Sequence, residues 1–223
     1  MKILGLFVTL CLFGEVVSFN IPQVREDEDN ICCVPQEWEA KMFLNYGMVF
    51  IDSNTMFDYF NATVHAAYSF PKKKVYFHVK GTESSPLFPK PNQHDMILLH
   101  DFENMQSYNV EGGDCSKIPI ETNMIHQCIP RDAKHISDGI VGYGNTTRIF
   151  HTYQYKSDVD IPFTTTASVF INDASAIEPK TCHPSIVHYF SGNPGDGSLY
   201  HLEFLDIGGL KTKTIFDIPK PCL

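Results

Sequence analysis

Ten histidines, seven cysteines and one unbroken run of four carboxylates are the side chains of this 223-residue sequence with the most chemistry to offer. Imidazoles and thiolates bind metals or act as base and nucleophile, and grouped carboxylates attract calcium. Spacing decides among these roles. No G-x-S-x-G, H-E-x-x-H, Walker or Rossmann glycine pattern occurs. His183 and His188 are five apart, which sets them on opposite faces of a strand and suits no shared metal. His65, His78, His151 and His201 fall inside strand-like stretches, where a half-buried structural histidine is the expected role. The remaining carboxylates are scattered, with no pair assignable as general acid and base. Glu26-Asp27-Glu28-Asp29 could draw calcium, but a solvated, mobile segment is the plainer reading. The sequence therefore reads as a non-enzyme that requires no cofactor, with calcium the one candidate ion.

The cysteines need a compartment before they can be read. Residues 1–18 carry one lysine, about a dozen apolar residues and then small residues at Val16 and Ser18. That is a signal peptide pattern, too short in its apolar run to span a bilayer. The expected product is secreted and extracellular, without a transmembrane anchor, with routing to lysosomes as the alternative. Cys11 leaves with the signal, and Cys32, Cys33, Cys115, Cys128, Cys182 and Cys222 remain. Six cysteines in an oxidising compartment argue for three disulfides. A bond between neighbours closes a small strained ring, so Cys32 and Cys33 are each expected to reach a distant partner. That leaves 12 of the 15 pairings open. Zinc is disfavoured, because no C-x-x-C pair exists. Sequons at Asn61 and Asn145 are the candidate glycosylation sites.

Positioning these residues falls to strands. The chain is 43% apolar and 13% aromatic, enough for one globular domain over 32–223, after an acidic, mobile segment at 19–31. Its net charge of -9 excludes nucleic acid as a natural partner. Val64, Ala66, Tyr68 and Phe70 alternate, a Pro-Lys-Lys-Lys tip follows, and Val75, Phe77 and Val79 return as a hairpin. Ile149, His151, Tyr153 and Tyr155 share one face of another strand. Further strands are read at "DMILLHDF", "SYNVEGGDC", "TTTASVFIND", "PSIVHYFSG" and "SLYHLEFLDIGGL", with "SGNPGDGS" as a loop. "EWEAKMFLNYGMVF" fits a helix period through Trp38, Met42 and Tyr46, while its surroundings favour a strand. The expectation is a mainly antiparallel β domain, a sandwich or half-open barrel. Its surplus of apolar strand residues either fills the core or lines a pocket. Phe43, Tyr68, Phe77, Leu98, Tyr153 and Phe204 are the candidate lining residues.

Five segments, in order, resemble the ependymin and ependymin-related family. "CCVPQEWEA" resembles its opening Cys-x-x-Pro-x-x-Trp-Glu, with Cys32 as the family cysteine. "GGDCSKIPI", "IPRDA" with "DGIVGYGN", "KTCHPSIVHYF" and "FLDIGGLKTKTIFDIPKPC" are similar to its later motifs, so the likeness spans residues 32–222. The resemblance implies two stacked antiparallel sheets in a half-barrel, related to bacterial lipoprotein-carrier proteins, with an apolar pocket for lipid or another hydrophobic molecule. It implies a secreted glycoprotein that forms homodimers, with calcium binding and cell-matrix adhesion as the alternative role. It also implies Cys32–Cys182 and Cys115–Cys222 bonds, which leaves Cys33 for Cys128.

Overall fold

The protein is described by a computed structural model covering residues 30–50, 56–85, 90–124, 126–142, 147–156, 163–172, 180–193 and 196–223. The signal-like segment, the acidic run at 26–29 and the Asn145 sequon lie outside the described residues. Among the described residues, thirteen strands account for nearly all regular structure. They are β1 (Asn30–Cys33), β2 (Glu37–Phe50), β3 (Met56–Ser69), β4 (Lys74–Ser84), β5 (Asn92–Asp101), β6 (Gln106–Glu111) and β7 (Asp114–Pro119). The second half holds β8 (Cys128–Pro130), β9 (Lys134–Val141), β10 (Arg148–Lys156), β11 (Phe163–Asn172), β12 (Thr181–Asn193) and β13 (Asp196–Gly208). One 3-10 turn, Lys220–Cys222, closes the chain. No described helix is long and apolar enough to cross a membrane.

The strands hydrogen-bond in one path, β7-β6-β5-β4-β3-β2-β13-β12-β11-β10-β9. Every neighbouring pair on it is antiparallel. The path curls on itself: Phe77 of β4 and Tyr155 of β10 line one cavity although five strands separate them in the path. The mainly antiparallel β architecture expected from the sequence is therefore the observed one. β1 lies outside the path, paired in parallel with β12 and antiparallel with β8. It begins at Asn30, two residues inside the segment expected to be mobile.

β2 resolves the ambiguous stretch as strand throughout, bonded to β3 on one side and β13 on the other. Trp38, Ala40, Met42, Leu44 and Tyr46 all point inward and are buried. A spacing of four satisfies a period of two as well as one near 3.6, so the helix reading had no independent support. Tyr46 stacks on Tyr200 of β13 at 4.3 Å, and Trp38 on Tyr68 of β3 at 5.7 Å. The stretch read as a loop, "SGNPGDGS", is largely hairpin: Gly192 pairs with Gly197 and Asn193 with Asp196.

A second, smaller core lies on the outer face. Residues 210–223 cross it, and Ile215, Phe216 and Cys222 bury against Ala67, Leu99, Tyr108 and Val110. The buried Glu39 carboxylate ties this strap down. It accepts from the Lys211 and Thr212 amides at 2.8 and 3.0 Å, the Thr212 hydroxyl at 3.3 Å and the His65 ring at 2.8 Å. Burial alone would raise the Glu39 pKa, but these donors, led by Lys211 N–H, hold it below its ordinary value.

Disulfides join Cys32 to Cys182 and Cys115 to Cys222, the two bonds the family resemblance implies, and Cys33 to Cys128, the pair those two leave over. The doubled cysteine thus ties β1 to β12 and β8 at once. Loops of 95 to 150 residues are worth about 4 to 5 kcal/mol each in the chain-entropy model, less when they overlap as here.

Candidate functional site: an apolar cavity inside the curled sheet

Where the two halves of the sheet face each other, the core leaves a cavity of about 90 Å³. Its wall is built from Trp38 and Met42 of β2, Phe77 of β4, Tyr155 of β10, Val187 of β12 and Phe204 of β13. Cys128 and Ile129 of β8, with Val34 and Gln127 beside them, close one side. Those closing residues are held by the two β1 disulfides and by His126, whose ring donates to the Val34 carbonyl at 2.9 Å and stacks on Phe70. The wall is apolar but not without polar groups. The indole Nε1 of Trp38 is buried and finds no hydrogen-bond partner among the described residues. Burial raises the pKa of Tyr155, and burial followed by the nearness of Tyr155 raises that of Tyr189, so both wall phenols stay protonated. The Trp38 donor in an apolar wall suits a ligand with an apolar body and one acceptor.

Of the six expected lining residues, Phe77 and Phe204 line the cavity. Tyr68, Leu98 and Tyr153 face inward and are buried in the surrounding core. The Tyr68 hydroxyl accepts from the Gln127 amide, beside the cavity. Phe43 is a correction. It is 43% exposed on the outer face, because Met42 takes the inward position and neighbours in a strand face opposite ways. The sequence reading missed Trp38, Met42, Val187 and the β8 residues, and saw Tyr155 only as part of an aromatic stripe.

Phe43 instead lines an outer groove of about 650 Å³ with Asn45, Asn61, Thr63, Lys80 and Asp95. Asn61 is exposed there, midway along β3. Asp95 accepts from His78 at 2.7 Å and pairs with Lys80 at 3.0 Å, and these contacts hold its pKa down.

Several of the histidines are hydrogen-bonded to other side chains. His65 and His78 bind Glu39 and Asp95 as structural residues. His188 Nε2 meets His201 Nδ1 at 2.6 Å. The expectation that His183 and His188 face opposite ways is overturned. A bulge between the Ile186 and Pro184 pairings inserts one residue, so both align with outer-face residues of β11, Phe170 and Thr166. Those positions are four residues apart, about 14 Å along a strand, so the pair still shares no metal. Two clusters of potential metal ligands occur among the described residues, Cys33–His126–Cys128 and His135–Asp138–His151. The first is spent, since its cysteines form a disulfide. Neither offers the oxygen-rich set that calcium takes.

The sequence matches no family model, and it matches no curated protein. Among solved structures the chain is similar to the crystal structure of a LolA superfamily protein from Nitrosomonas europaea. The match covers 84% of this chain and 93% of that chain, at a TM-score of 0.37 and 8% sequence identity.

Proposed function

We propose that this is a secreted, non-enzymatic member of the ependymin-related family that holds a hydrophobic ligand, a lipid or fatty acid, between the halves of its curled sheet. The observation that carries the reading is the apolar cavity with an unpartnered Trp38 Nε1 in its wall. A well-packed core leaves few voids and satisfies its buried donors. A bound carbonyl or carboxylate would do both. Affinity then comes from apolar burial at about 25 cal/mol per Å², less the cost of immobilising the ligand.

Size sets how the ligand binds. A cavity of about 150 Å³ admits benzene, so 90 Å³ admits only the end of an acyl chain without rearrangement. A longer chain enters as Met42, unbranched and flexible, repacks. The larger outer groove is the weaker alternative: it is open and lined mostly by polar and charged residues, and a glycan on Asn61 would occupy it.

The test is native mass spectrometry of protein secreted from eukaryotic cells, with solvent extraction and lipid analysis of the same sample. About one lipid per chain is expected, lost or strongly reduced in Leu202→Trp, which fills the cavity from β13. A protein that emerges empty and ignores added fatty acids and phospholipids would end the proposal.

A further inference from the structure

We propose that His135, Asp138 and His151 form a binding site for a divalent transition-metal ion of the zinc type, on the open margin of the sheet. His135 Nε2 and His151 Nδ1 each lie 2.7 Å from the same carboxylate oxygen, Asp138 Oδ1. All three ligand atoms lie within 4.8 Å of one another. Two imidazole nitrogens and one carboxylate oxygen are a donor set that zinc and its neighbours take and that calcium does not. A tetrahedral ion at 2.0–2.1 Å from each donor needs ligand separations of about 3.3 Å. The nitrogens therefore retreat from Oδ1 by about 0.6 Å, and side chains 34% to 53% exposed can do that.

The backbone supplies an independent reason to see a built arrangement. His135 and Asp138 are three apart on β9, a spacing that turns side chains to opposite faces of a regular strand. Here the register shifts between Thr152 and Tyr153: Thr152 pairs with Ser137, but Tyr153 pairs with His135. The extra residue, Ile136, is the bulge. It turns His135 onto the face of Asp138 and His151, where its ring packs on Tyr153 at 5.4 Å. Bulges re-aim side chains in this way at functional sites. Gly139 follows Asp138 because the Phe150 ring fills the space where a Cβ would stand.

Metal and protons use the same atoms. Each nitrogen that now donates to Oδ1 must be free of its proton to ligate, so each ring adopts the tautomer protonated at its other nitrogen. Three protein ligands leave at least one coordination position for water or an exchangeable ligand, the pattern of open rather than structural zinc sites.

The experiment is calorimetric titration of the full secreted chain, free of any polyhistidine tag, with zinc chloride in a non-coordinating buffer. One zinc per chain is expected. Affinity should fall at least tenfold in each of His135→Ala, Asp138→Asn and His151→Ala, with melting curves in metal-free buffer unchanged because the residues sit at an exposed edge. In the wild type, zinc should shift the ring resonances of His135 and His151 before those of other histidines, and calcium should leave them in place. Failure to saturate by 1 mM zinc, or equal affinity in all three variants, would overturn the site.

Discussion

Acid should weaken this fold through His100. Its ring is buried on the inner face of β5, between Phe77 at 6.3 Å and Phe102 at 6.2 Å. Its Nε2 finds no hydrogen-bond partner among the described residues. Burial pulls its pKa from 6.5 down to about 4. The folded protein thus keeps His100 neutral where the unfolded chain would already protonate it. Below pH 6.5 the unfolded state binds the extra proton, so stability falls with pH until about 4 and then levels off. The gap from 6.5 to about 4 is worth about 3 kcal/mol at 1.36 kcal/mol per pH unit, and about 2 kcal/mol of that is lost between pH 7 and 5. Burial also lowers the pKa of His188, with His201 adding to it, and that acts in the same direction. The assay is therefore a comparison. Urea unfolding of the wild type and of His100→Leu, disulfides intact, is measured from pH 7 to pH 5. Leu cannot titrate, so the variant should lose about 2 kcal/mol less over that interval, whatever its stability at pH 7. Parallel losses within 0.5 kcal/mol would refute the reasoning, as would an NMR titration placing His100 near 6.5.

Two further substitutions test the strap over the outer face and the close contact of β3 with β4 on the inner one. Glu39→Ala strands the Lys211 and Thr212 amides and should cost about 2 to 4 kcal/mol in urea unfolding, with faster proteolysis within 210–223; wild-type proteolysis would show that the strap does not depend on this carboxylate. Gly81→Ala puts a Cβ 2.6 Å from the Asn61 carbonyl and the Phe60 ring and 2.8 Å from the Ala62 Cβ, and should cost about 1 to 3 kcal/mol; an unchanged melting temperature would mean that β3 and β4 separate there freely.

Sequence reading found β3 and β4 by alternation, and β5 and β6, each with four consecutive buried residues, by their apolar and aromatic content. Val64 to Tyr68 and Val75 to Val79 alternate because β3 and β4 bury one face in the core. β9 escaped because seven of its eight residues are exposed, so no alternation is written into it. β1 and β8, of four and three residues, are too short to show a period and exist by pairing, β8 with β1 and β1 also with β12. The cavity was half legible. Phe77 and Phe204 fall on the inward phase of their strands, whereas Phe43 looks the part and is off by one. Trp38 was visible as the sole tryptophan, but only the curling of the sheet brings β2 opposite β10.

The histidines mark the limit of counting by twos. Alternation assigns a face only while each residue has one partner across the ladder, and a bulge adds a residue without changing composition or hydrophobicity. Such a bulge on β12 gives His183 and His188 the same face, and another on β9 turns His135 toward Asp138 and His151. Nothing local in "KHISDG" announces the second one. Ile136 is β-branched and apolar, as any regular strand residue could be. The edge position leaves room for the shift, since β9 pairs with β10 on one side and has no further strand in the path on the other. A side chain can therefore be a bystander by spacing and a ligand by register. Where two strands of unequal constraint pair at a sheet edge, the chemistry-bearing residues have to be judged after the ladder is known.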